Sequence, residues 1–139
     1  MKLSRLAALA AAVLMSAPAL AHDDATLDAT AAPHGGQLRM AGAYHLELVL
    51  ARDARGGRPA PVKVYLTDHG GKPVAPTGVS GNVVLLAPAG KLMVPLAPAG
   101  GGLAGTAAYA ADPATKAVVS LRFADGRTES ARFEPFKPR

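Results

Sequence analysis

From Gly36 onward, apolar residues recur at every second position in short runs, and Gly, Pro or Asp breaks each run. Breaks spaced about 8 to 12 residues apart mark a chain of short strands rather than helices. Alternate side chains of an extended segment face opposite sides, so each run supplies one apolar face to a shared interior. The clearest case is 44–51, where Tyr44, Leu46, Leu48 and Leu50 share one face while His45 and Glu47 take the other. Val62, Val64 and Leu66 repeat the pattern, as do Val119, Leu121 and Phe123.

The spacing predicts strands over 37–40, 44–51, 62–67, 82–87, 91–96, 103–109, 117–123 and 128–133. A brief edge strand is added over 72–75, blunted by Pro73 and Pro76. Pro95 cannot donate to a ladder, which places 91–96 at a sheet edge. Asp68-His69-Gly70-Gly71 and Asp125-Gly126 read as turns. The expected architecture is all-β, an antiparallel immunoglobulin-like sandwich of about eight strands. It spans 34–134, with a flexible arm over 22–33 and a loose tail over 135–139. No segment after residue 21 shows a helical period. The chain has no cysteine, so the domain must hold by packing alone, with a core of Leu, Val and Ala and few aromatics. Met40 and Met93 are expected to fill gaps in that core.

Residues 1–21 read as a cleavable signal peptide. Lys2 and Arg5 precede an apolar stretch from Leu6 to Met15, and Ala19-Leu20-Ala21 supplies the small-x-small cleavage pattern. The apolar run is shorter than the roughly 20 residues of a membrane-spanning helix. The domain is therefore expected outside the cytoplasm. The formal net charge is +5, with the basic residues scattered and no stripe of interleaved aromatics, so nucleic acid is not an expected partner.

Without thiols, any metal must be held by His, Met, carboxylate or backbone, a donor set suited to copper or zinc. The four histidines are His22, His34, His45 and His69. His34-Gly35-Gly36 and His69-Gly70-Gly71 repeat one tripeptide; His69 reads as part of an ordinary turn. His45 lies beside Glu47 across the strand face. It reads either as part of a surface ion pair or as a metal ligand oriented by Glu47. A three-residue loop at Ala41-Gly42-Ala43 would pair Arg39 with His45 and Gln37 with Glu47, forming one polar patch. The same register sets His34 on the opposite face from His45. Cleavage after Ala21 would make His22 the first residue, able to chelate Cu(II) through its amine and ring nitrogen. No nucleophile elbow, His-Glu-x-x-His or phosphate loop is present, and an enzyme is not expected.

Pro33-His34-Gly35-Gly36-Gln37-Leu38, then Tyr44-His45-Leu46-Glu47-Leu48-Val49, then Val64-Tyr65-Leu66-Thr67-Asp68-His69-Gly70-Gly71-Lys72-Pro73-Val74 form a set. The set resembles the β-domain near the N-terminus of periplasmic adaptor proteins of cobalt–zinc–cadmium and copper efflux systems. It is also similar to small stand-alone periplasmic proteins that accompany such systems. The resemblance covers about residues 33–134. The adaptors' helical hairpin and lipoyl-like domain have no counterpart in these 139 residues. The resemblance implies a sandwich domain and a heavy-metal-resistance setting but carries over no ligand set. Together with the residues it gives the expectation of a periplasmic accessory that binds or delivers metal ions, with His34, His45, Glu47 and His22 as the candidate ligands read from the sequence itself. The alternative is a metal-free module that docks on an efflux complex, with the segment Lys72 to Pro76 as its contact.

Overall fold

A computed structural model describes residues 23–138. The signal-peptide segment 1–21 and His22 lie outside the described residues. Eight strands follow one short helix: α1 (Asp24–Ala29), β1 (Gln37–Ala41), β2 (Tyr44–Leu50), β3 (Ala60–Asp68), β4 (Ser80–Ala87), β5 (Gly90–Ala99), β6 (Gly102–Ala107), β7 (Lys116–Arg122) and β8 (Thr128–Phe133). All neighbours are antiparallel, in the order β1-β2-β3-β6-β5-β4-β7-β8. The all-β antiparallel architecture expected from the alternation is therefore present.

The sheet is continuous and nearly closes on itself, because its two end strands, β1 and β8, meet. At that seam the Gln37 side-chain oxygen accepts from the Glu134 backbone N–H at 2.8 Å. Inside, Leu46, Leu48, Val62, Val64, Val83, Leu85, Val94, Leu103, Val119 and Leu121 are almost wholly removed from water. Each such Leu or Val contributes roughly 1.5–3 kcal/mol.

Several expectations are corrected. β5 is an interior strand, not an edge. Its residues 90–96 pair with β4 and its residues 97–99 with β6. Pro95 and Pro98 are tolerated because each pairs with one neighbour only. Residues 24–29 form a helix although they carry no apolar period. Asp23 caps it by accepting from the Thr26 N–H at 2.8 Å, and its single apolar anchor, Leu27, is buried. The Arg39 guanidinium ties α1 down through Asp28 at 2.7 Å and Asp24 at 3.4 Å. The C-terminal tail is pinned: Phe136 is buried and its ring lies 6.2 Å from that of Tyr109. Met93 does not fill the core but is 60% exposed. Segment 72–75 contributes only a bridge between Thr67 and Pro73.

Tyr109 clasps the long loop between β2 and β3. Its hydroxyl donates to the Pro61 carbonyl at 2.6 Å and accepts from the Ala51 N–H at 2.8 Å. Burial pushes this phenol above its ordinary value of about 10. The folded state thus holds the proton more tightly than the unfolded chain. The stability this provides is full below the unfolded tyrosine value and is lost as pH rises through the folded one. Tyr109→Phe leaves both backbone groups without this partner and should cost about 1–3 kcal/mol in urea unfolding. It should also flatten the alkaline fall in stability. An unchanged alkaline profile would contradict this assignment.

Candidate functional site

β1 and β2 are joined by the two-residue turn Gly42-Ala43, and Gly42 has φ +57°. Glycine at the first central position of a two-residue hairpin takes that conformation without steric cost. Ala41, expected in the loop, pairs with Tyr44 instead. The register is therefore shifted by one residue, with Gln37 opposite Leu48, Leu38 opposite Glu47, Arg39 opposite Leu46 and Met40 opposite His45. A slip of one residue moves side chains to the other face. The expected patch of Gln37, Arg39, His45 and Glu47 is thus divided. Gln37 and Arg39 turn to Asp28 of α1, while His45 and Glu47 stay on the outer face of β2.

That face is not solvated as a polar strand face would be. Glu47 is only 3% exposed, and its carboxylate accepts three hydrogen bonds, all from one loop. Oε1 takes the His34 N–H at 2.8 Å and the Gly36 N–H at 2.9 Å, and Oε2 takes His34 Nδ1 at 2.8 Å. Two backbone donors and one imidazole compensate the desolvation of the charge. The Gly36 position has no room for a side chain, because a Cβ there would collide with the Leu48 carbonyl and the Glu47 side chain. Gly35, at φ +73°, turns the chain off the strand direction. The expectation that His34 lies across the sheet from His45 is overturned by this turn. His34 lies on the Glu47 side, stacked on Tyr65 at a centroid separation of 3.6 Å and an interplanar angle of 7°.

The three parts of the motif set therefore meet in one place. The Pro-His-Gly-Gly loop, the Leu-Glu-Leu strand and the Val-Tyr strand are joined by Glu47 and Tyr65, which face each other across β2 and β3. Because the carboxylate accepts at Nδ1, the neutral His34 ring carries its proton there and presents Nε2 outward. The ring is 44% exposed. Glu47 orients His34, not His45 as the sequence suggested.

His45 has a different companion. Its ring lies 5.2 Å from that of His69, at 20°. His69 stands in the turn after β3, where the Asp68 carboxylate accepts from the Gly70 and Lys72 N–H groups at 2.9 Å each. His69 Nε2 donates to the Gly42 carbonyl at 3.2 Å. The two rings line a cavity of about 330 Å³ between α1 and this turn, together with Leu27, Leu38, Thr26 and Thr67. In the sequence His69 reads as ordinary turn chemistry. The signal that could have found it is its reach, since the Thr67–His45 pairing places the next turn beside His45.

Among the described residues, no three His, Asp or Glu side chains converge as a group that could hold a metal ion. Glu47 is committed to the loop. The nitrogen donors left are His34 Nε2 and the His45–His69 pair, with His45 itself buried, and neither place alone supplies the ligands of a closed four-ligand cage. Comparison with family models, with curated proteins and with solved structures gives no match.

Glu47→Ala leaves the two loop N–H groups without their acceptor and should cost about 2 kcal/mol or more in urea unfolding. Glu134→Ala, at the surface, should stay within about 0.5 kcal/mol of wild type. Equal effects of the two substitutions would contradict the role given to the Glu47 carboxylate.

Proposed function

We propose that this protein is a periplasmic accessory of copper or zinc resistance that binds metal ions transiently and passes them on. The observation that carries the reading is that the outer side of β2 and β3 presents imidazoles in two separate places, His34 beside Glu47 and the pair His45–His69. His34 is held with Nε2 outward by Glu47, and His45 and His69 lie face to face beside α1. A carboxylate bonded to the far nitrogen of an imidazole fixes the tautomer and raises its basicity toward a metal. A site of one or two imidazoles exchanges its ion more readily than a closed cage, which suits delivery. His22 would add an amine and a ring nitrogen if the chain is processed after Ala21. The motif set around Glu47 supports the heavy-metal setting. A metal-free module docking on an efflux complex is the alternative.

The test is titration of the chain beginning at His22 with Cu(II) and with Zn(II). A second preparation with one extra residue ahead of His22 removes chelation by the terminal amine. Saturable binding at micromolar metal should persist in that preparation. His34→Ala and the pair His45→Ala/His69→Ala should each weaken it, and Glu47→Gln should weaken the His34 contribution by about tenfold. Absence of saturable binding in both preparations would overturn the reading in favour of the docking module.

A further inference from the structure

The outer face of β4, β5 and β7 carries a second surface with a different chemistry. Two large apolar side chains are exposed among the described residues, Leu86 at 43% and Met93 at 60%. Both lie on the outer face of β4 and β5. Met93 pairs with Val84, Val84 pairs with Val118 of β7, and Leu86 pairs with Lys91 on one side and Lys116 on the other. The pairs Met93–Val84 and Val84–Val118 make one apolar row, with Arg132 of β8 next to Val118. Lys91, Lys116 and Arg132 are exposed around it. β4, β5 and β7 contain no acidic residue, and the one acid of β8, Glu129, pairs with inward-facing Leu121.

At its β8 end this face also meets Asp24 and Glu134, but these carboxylates are engaged by Arg39 and Lys137, so the apolar row with Lys91, Lys116 and Arg132 around it favours an anionic occupant. A second copy is disfavoured, because a two-fold contact would set like charges against each other. The face belongs to the convex outside of a rolled sheet and offers no aromatic anchor, whereas protein hot spots centre on aromatic and Arg anchors in well-packed pockets. A bilayer surface needs no such pocket. It takes flexible apolar side chains at the headgroup boundary and attracts each nearby cation. We propose that the outer face of β4, β5 and β7 is a docking surface for an anionic lipid bilayer, with Met93 and Leu86 entering the headgroup layer and Lys91, Lys116 and Arg132 held against lipid phosphates. The metal-handling face of β2 and β3 is built from other strands of the sheet.

Co-sedimentation with vesicles tests this. The protein should partition onto phosphatidylglycerol/phosphatidylcholine vesicles at low salt. It should bind pure phosphatidylcholine vesicles far more weakly, and it should be released by salt. The Lys91→Glu/Lys116→Glu variant should lower partitioning by at least about twenty-fivefold, roughly fivefold for each cation lost, with the two new carboxylates adding repulsion. Met93→Ser should lower it further, and Lys63→Glu, on the outer face of β3, should leave it largely unchanged. Circular dichroism of each variant confirms folding. No binding to anionic vesicles at low salt would overturn the proposal. So would equal losses from Lys63→Glu and from the double variant. Preferential capture by an acidic polypeptide such as polyglutamate, with vesicles left unbound, would overturn it in favour of an acidic protein partner.

Discussion

A carboxylate taken out of water must find donors or lose its charge, and Glu47 is almost wholly buried on the outer side of a strand. The donors that answer it all come from His34 and Gly36. This one requirement pulls the chain before β1 off the strand direction. It seats His34 on Tyr65 and fixes which ring nitrogen faces solvent. It also explains why small residues follow His34: Gly35 makes the turn, and Gly36 passes too close to β2 for any side chain. The remainder of the covered face follows. The loop leads back to α1, and α1 with the turn after β3 encloses His45 and His69.

The rolled sheet gives the molecule two unlike outsides. Over β1 and β2 the outer face is roofed by α1 and the His34 loop, held by the Arg39–Asp28 pair and by Glu47. Over β4, β5 and β7 it is open, apolar in its middle, with Lys91, Lys116 and Arg132 around it and Asp24 and Glu134 at its β8 end. The interior is shared, because β5 pairs with β4 along most of its length and with β6 at its end. At the seam β1 and β8 lie against each other, tied by the hydrogen bond from the Glu134 N–H to the Gln37 side chain.

Strand positions were legible because period-2 alternation is strong in 44–51, 62–67 and 117–123, where buried Leu and Val mark the inner face. What escaped the sequence has identifiable causes. Helix α1 is one and a half turns long with one buried apolar residue, too short to show a period, and its start is marked only by the Asp23 cap. Pro95 suggested an edge because a proline pairs poorly, yet a strand that changes partners at Leu96–Ala97 accommodates it. The site was legible as a list of residues but not as a geometry. Placing Ala41 in the loop moved the register by one residue, which joined Arg39 to His45 and hid the bond between Glu47 and His34. His69 is legible as a partner only through the β2–β3 register, because its proximity to His45 comes from the turn after Thr67 and not from spacing along the chain.

The central claim is that Glu47 fixes the His34 ring with its proton on Nδ1 and Nε2 turned outward. Long-range proton–nitrogen correlation spectra of the imidazoles, recorded at mildly alkaline pH, report the tautomer of each ring directly. The account predicts a single Nδ1–H tautomer for His34 in the wild-type protein and a mixture in Glu47→Gln. A His34 ring that already averages between tautomers in the wild-type protein, or that carries its proton on Nε2, would contradict it.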